Sequence, residues 1–220
     1  MSSTRPIRVV EAVAAVLVVL VVAAGVAVLV RPDLWPFRPK AALIGDSITA
    51  TSEGALRDEL VRSYHLDIEA TPGYRTDQLL PAARQAAADQ PEQVVINLGT
   101  NDAFQSWPLD QSEAALRELI GLFPSARCVH LVTVNERILD LQQTGVTPRL
   151  QAYNQMLARV AAARPGTDVI DWTAAVDRYA AAGEPAGPYT FDSVHPLEPG
   201  QRDLARLYHK ALDACPPKSG

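Results

Sequence analysis

The stretch Ala41-Ala42-Leu43-Ile44-Gly45-Asp46-Ser47-Ile48-Thr49 is a short apolar run that ends in glycine and small polar residues. Such a run, bounded by a turn signal, reads as a buried strand that opens into a strand-to-helix turn. Residues 54–64 then have helical spacing. Outward from this point the alternation repeats. Residues 66–70 read as a strand and 76–89 as an Ala-rich helix. Residues 93–98, with Val94, Val95 and Ile96, read as a strand, and 112–123 as a helix whose Asp110 and Glu113 have capping-box spacing. Residues 128–134 are a further strand. Residues 148–163 are a long helix with Thr147 as N-cap and Pro148 in first position. A fifth strand, 168–171, and a last helix, 200–214, complete the chain. This alternation predicts an α/β domain with a parallel sheet covered on both faces.

In such a sheet, ligands bind outside the carboxyl ends of the strands. Four polar blocks fall there. Gly45-Asp46-Ser47 follows the first strand and projects a hydroxyl beside a helix N-terminus, which favours developing negative charge. Taken alone, Ser47 is better explained as a helix N-cap. Thr71-Pro72-Gly73-Tyr74-Arg75-Thr76 follows the second strand, and Gly73 is the only glycine between Gly54 and Gly99. A backbone N–H there is unobstructed by a side chain, although Pro-Gly is also a common turn. Asn97-Leu98-Gly99-Thr100-Asn101-Asp102 follows the third strand, and the Asn101 amide suits an oxyanion. Asp192-Ser193-Val194-His195-Pro196 precedes the last helix. Its Asp and His, three apart, can pair so that the carboxylate orients the imidazole.

Together the four blocks resemble the GDSL/SGNH hydrolase family over residues 40–215. Ser47, Gly73, Asn101 and His195 stand where that family carries its four characteristic residues. Ile48 replaces the usual Leu of the first block, and Arg75 stands where many members have a second Gly. The resemblance implies a three-layer α/β/α sandwich of flavodoxin-like type with a central five-stranded parallel sheet. It implies hydrolysis of esters or thioesters without a metal or cofactor, with Ser47 as nucleophile, His195 as base and Asp192 orienting it. The oxyanion is then held by the Ser47 N–H, the Gly73 N–H and the Asn101 side chain. The expected substrate is an acyl ester of a small molecule, lipid or glycan. Transfer of the acyl group to a cell-envelope glycan, or glycan binding without catalysis, are the alternatives. His65, His130 and His209 lack partners at metal-ligand spacing and read as structural. Trp107, Asp46, Asp102, Glu136 and Arg137 are read as loop-packing or solvated residues.

Composition narrows the partners. Lys and Arg total 20 against 25 Asp and Glu, a net charge of −5 with no dense basic cluster, so a nucleic-acid partner is not expected. Residues 12–30 carry no polar side chain. As a helix they span about 28 Å, close to a hydrocarbon core. The expected organisation is a short cytoplasmic tail at 1–8, a transmembrane anchor at 9–30, a Pro-rich linker at 31–39, the catalytic domain at 40–215 outside the cytoplasm, and a tail at 216–220. A cleaved signal peptide, with Gly25-Val26-Ala27 as a small-x-small site, is the rival reading and gives a secreted protein.

The two cysteines, Cys128 and Cys215, test that location. Cys128 opens the fourth strand at the amino edge of the sheet. The last helix starts near His195 at the opposite edge and runs back, so Cys215 at its end is expected near Cys128. An oxidising compartment then permits a disulfide, while a cytoplasmic domain would keep two separate thiols.

Overall fold

The computed structural model describes residues 38–139 and 146–216. The tail at 1–8, the anchor at 9–30 and the linker up to residue 37 lie outside the described residues. Among those described, no helix is long and apolar enough to cross a membrane. The domain lies in the compact unit Pro39–Gly220.

Five strands form one sheet in the order β2-β1-β3-β4-β5, every pair parallel. They are β1 (Lys40–Gly45), β2 (His65–Ala70), β3 (Gln93–Asn97), β4 (Cys128–Val132) and β5 (Thr167–Ile170). The described helices are α1 (Ser47–Leu60), α2 (Leu80–Ala88, preceded by a 3-10 turn at Asp77–Leu79), α3 (Thr100–Phe104), α4 (Leu109–Gly121), α5 (Val146–Ala162), α6 (Trp172–Ala181) and α7 (Glu198–Ala214). The sheet is thus the five-stranded parallel sheet expected of an SGNH hydrolase.

Strand alternation divides the core in two. Ala42, Ile44, Val94, Ile96, Val129 and Leu131 face one layer with α2, α4 and α5. Leu43, Val95, Val132 and Ile170 face the other with α1, α6 and α7. β1 and β3 are buried on both faces because they are central, whereas β2 is half-exposed along its length because it is an edge. Each fully buried Leu or Ile contributes about 1.5–3 kcal/mol relative to exposure.

Several boundaries differ from the sequence reading. α1 begins at Ser47, not at 54. Ile48, Thr49 and Thr51 are weak helix formers and mask its first turns. In the fold those turns are held by burial of Ile48, Thr49 and Ser52 and by a cap from Asp46. The capping box at Asp110 and Glu113 does not form. Pro108 is the N-cap of α4 without a side-chain bond, and Glu113 pairs with Arg117 at 2.7 Å. α5 starts at Val146, so Thr147 is not its cap and Pro148 sits inside the first turn, where its missing N–H costs nothing. α3 and α6 were not expected. α3 is only five residues long, and α6 follows β5 after the single residue Asp171, which caps it through the Ala174 N–H.

Candidate active site

β1 pairs with β2 on one side and β3 on the other, so chain direction across the sheet reverses between β1 and β3. This is the topological switch point, where open α/β sheets leave a crevice at the strand ends. Ser47 follows β1 there, and Asn101 lies in α3 just past β3.

The first turn of α1 is built by Asp46, not by Ser47. Asp46 is extended, with φ −99°, and its Oδ1 accepts from the Ile48 N–H at 2.9 Å. Its other oxygen accepts from Asn101 Nδ2 at 3.2 Å. Ser47 is left at the first helical position with its hydroxyl free of capping duty. Asp46 is fully buried, and burial pushes its carboxyl up to about 7. The Ile48 N–H, nearby His195 and the Asn101 amide pull it down, while Asp102 adds to the rise.

The loop between α6 and α7 brings His195 to Ser47. His195 Nε2 lies 2.8 Å from Ser47 Oγ. His195 Nδ1 lies 2.7 Å from Asp192 Oδ2, and Asp192 Oδ1 accepts from the His195 and Val194 N–H groups at 2.8 and 3.0 Å. Partial burial would raise the Asp192 carboxyl, but those bonds outweigh it and hold it below the usual carboxylate range. Asp192 therefore stays ionised against the imidazole. The loop is pinned from β4's side, where Asn135 Nδ2 donates to the Ser193 carbonyl at 2.9 Å and the Leu139 N–H donates to Ser193 Oγ at 2.9 Å. The Phe191 ring stacks on His195 at 5.5 Å and is otherwise 67% exposed.

Two further segments complete the site. Gly99 has φ +116°, and a Cβ there would meet the Tyr153 ring at 2.1 Å, so only glycine lets α3 start where Asn101 can reach Asp46. The block after β2 is exposed at Pro72, Gly73 and Tyr74 but anchored behind them. The Thr76 N–H and hydroxyl both donate to Asp102 Oδ2, at 3.0 and 3.2 Å, and Thr76 Oγ1 lies 3.1 Å from the Tyr153 hydroxyl. Burial raises the Asp102 carboxyl in spite of the Thr76 bonds.

Ser47, His195 and Asp192 thus form a continuous hydrogen-bonded chain, and Asn101 is joined to it through Asp46. Gly73 sits on a separate loop beside α3. The other residues weighed in the sequence lie elsewhere or act differently. His130 is buried between Asp168 Oδ1 at 2.6 Å and Gln93 Oε1 at 3.3 Å, and ties β4 to its two neighbours. His209 pairs with Glu59 at 2.6 Å. Trp107 lies under the Arg75 guanidinium, and Glu136 accepts from Asn154 Nδ2 at 2.8 Å. Sequence reasoning passed over Asn135, Phe191 and Gln105, whose Nε2 donates to the Gly73 carbonyl at 3.0 Å. Asn135 had one signal, a short polar side chain directly beyond a strand's carboxyl end. Phe191 had another, an aromatic beside the Asp192 block.

Opposite this edge, Cys128 at the start of β4 and Cys215 at the end of α7 are joined in a disulfide, with Cα atoms 6.0 Å apart.

Residues 43–202 match the family described as GDSL-like Lipase/Acylhydrolase. A search among curated proteins found no match. Among solved structures, the chain is similar to the catalytic domain of peptidoglycan O-acetyltransferase A (OatA) from Streptococcus pneumoniae. The TM-score is 0.64 at 19% identity, over 83% of this chain and 99% of that one. It is also similar to an acetylxylan esterase from Geobacillus stearothermophilus (TM-score 0.63, 21% identity, 79% of this chain and 94% of that one). A third is the acetyl xylan esterase AlAXEase (TM-score 0.65, 22% identity, 79% and 99%). At these identities the likeness concerns the fold.

Proposed function

This chain belongs to the GDSL-like lipase/acylhydrolase family, and on that premise we propose that it cleaves acyl esters outside the cytoplasm through a Ser47–His195–Asp192 triad. The observation that carries the proposal is the contact of His195 Nε2 with Ser47 Oγ at 2.8 Å, with Asp192 on the other ring nitrogen at 2.7 Å. Ser47 Oγ attacks the acyl carbon as its proton passes to His195 Nε2. The ionised Asp192 keeps the Nδ1 proton in place and stabilises the imidazolium. The tetrahedral oxyanion is met by the Ser47 N–H, the Gly73 N–H and the Asn101 amide. Asn101 Nδ2 carries two hydrogens; Asp46 takes one and thereby orients the other. His195 returns its proton to the leaving alcohol oxygen, and the C–O bond breaks. Water, deprotonated by His195, then attacks the acyl carbon; the bond to Ser47 Oγ breaks, His195 returns the proton to Oγ, and the acid leaves.

The triad is open to solvent, since the Asp192 and His195 side chains are 36% and 26% exposed. That openness suits a small acyl group carried on a bulky alcohol such as a glycan. A location outside the cytoplasm, held by an anchor at 9–30 or reached by secretion, is supported by the Cys128–Cys215 disulfide. The likeness to the OatA catalytic domain favours a second reading, in which a sugar hydroxyl replaces water as acyl acceptor.

The test is hydrolysis of short acyl esters by the folded domain. Ser47→Ala should reduce turnover by about a thousand-fold or more while its thermal transition stays within a few degrees. A folded Ser47→Ala protein with near-normal turnover would overturn the assignment. Adding glycan acceptors decides between the readings: transfer shows as acylated sugar formed at the expense of free acid.

A further inference from the structure

Gly73 stands in an exposed loop, yet an oxyanion donor must point in one direction. Glycine leaves both of its backbone dihedrals soft, so something outside the residue has to hold it. On the amino side Pro72 restricts the chain. On the carboxyl side the Gly73 carbonyl accepts from Gln105 Nε2 at 3.0 Å. Gln105 caps the end of α3, the helix that carries Asn101. Its orientation is not free. Gln105 Oε1 accepts from Arg75 Nη1 at 2.7 Å, which leaves Nε2 to face Gly73. Arg75 is itself immobilised. It forks onto Asp77 with two bonds of 3.0 Å, its guanidinium lies 4.1 Å over the Trp107 ring, and its side chain is only 16% exposed. One primary amide thus bridges the two segments that bear Gly73 and Asn101.

We propose that Gln105 is a positioning residue of the oxyanion site: its amide, oriented by Arg75, locks the Gly73–Tyr74 peptide by its carbonyl. This steadies the turn that the Tyr74 N–H closes onto the Thr71 carbonyl at 3.4 Å, so that the N–H of the preceding Pro72–Gly73 peptide converges with Asn101. The inference rests on the oxyanion reading above. The lock acts on the donor's direction and touches neither the triad nor the acyl group. Its loss therefore slows the chemical step and leaves substrate affinity alone, because misplacing a catalytic group by about 1 Å costs up to about 100-fold.

The experiment compares Gln105→Ala and Gln105→Glu with the parent domain on a short acyl ester. Gln105→Glu keeps an oxygen for Arg75, now as an ion pair, but has no hydrogen for the Gly73 carbonyl. Both variants should lose about ten-fold or more in kcat with KM within about two-fold. Gln105→Glu should keep the parent's melting temperature, and both should keep the parent's pH midpoint for kcat/KM, since His195 and Asp192 are untouched. A folded Gln105→Glu with kcat within two-fold of the parent would overturn the proposal and leave Arg75 with a packing role only. Ser47→Ala, measured alongside, separates this failure from the other. If Ser47→Ala is inactive and Gln105→Glu is fully active, only the positioning role falls. If Ser47→Ala is active, the catalytic reading falls with it.

Discussion

Replacing Cys128 and Cys215 together by alanine removes a cross-link between the start of β4 and the end of α7. The cysteines are separated by 87 positions, so the closed loop holds 88 residues, half of the domain. In the chain-entropy account, a loop of this size restrains the unfolded chain by about 15 cal/mol/K, which is about 4.6 kcal/mol at 25 °C. For a domain of this size each kcal/mol moves the melting temperature by about 2–4 °C, so a drop of roughly 9–18 °C is expected. The assay is thermal unfolding by circular dichroism of the parent, of the parent with reductant, and of the Cys128→Ala/Cys215→Ala variant. The reduced parent controls for the packing of Cys128, which is buried. Hydrolysis at 25 °C should be unchanged, because the disulfide lies at the amino edge of the sheet and Ser47 lies beyond the carboxyl ends of the strands. A shift under about 2 °C in both comparisons, or two reactive thiols in the unfolded, unreduced protein, would refute the reasoning.

Asp46→Asn supplies one oxygen where two are used, so either the Ile48 N–H or Asn101 Nδ2 meets an amide donor. We expect kcat to fall about ten-fold or more from misdirection of Asn101; an unchanged kcat would remove Asp46 from the site's support. The same variant tests linkage. The Asp46 carboxyl, at about 7 in the fold, binds its proton more tightly than the unfolded chain does near the ordinary value of about 3.9. Its contribution is full below that lower value and is lost as pH rises through about 7, so the parent's stability relative to Asp46→Asn should decline across this window. Urea unfolding at pH 4.5, 6 and 8 measures it, and a constant difference would contradict the burial argument. Gly99→Ala places a methyl against Tyr153 at a φ of +116° and should cost about 3 kcal/mol or more in stability, read by the same unfolding curves. A loss below about 1 kcal/mol would show that α3 can start differently.

Much of the fold was legible because its signals are local. Strand β3 shows as Val94-Val95-Ile96, and the polar blocks begin directly where apolar runs end. The start of α1 was hidden because β-branched residues weaken the helical signal, and burial of Ile48, Thr49 and Ser52 together with the Asp46 cap restores it. The capping box on α4 was misread because a three-residue spacing is a weak cue that Pro108 overrides. α6 escaped notice because nothing local separates it from β5 beyond one aspartate.

By itself the sequence determined the class of the fold and the residue types at its carboxyl edge. Both follow from hydrophobic periodicity and from turn residues that stand next to one another in the chain. Only the tertiary structure decided that Ser47 and His195, 148 residues apart, come to 2.8 Å. It alone decided that Asp46 and not Ser47 caps α1 and that Gln105 joins Gly73 to α3. These contacts depend on the order β2-β1-β3-β4-β5 and on the lateral seat of each helix. Both are set by packing between distant segments, which leaves no periodic trace along the chain.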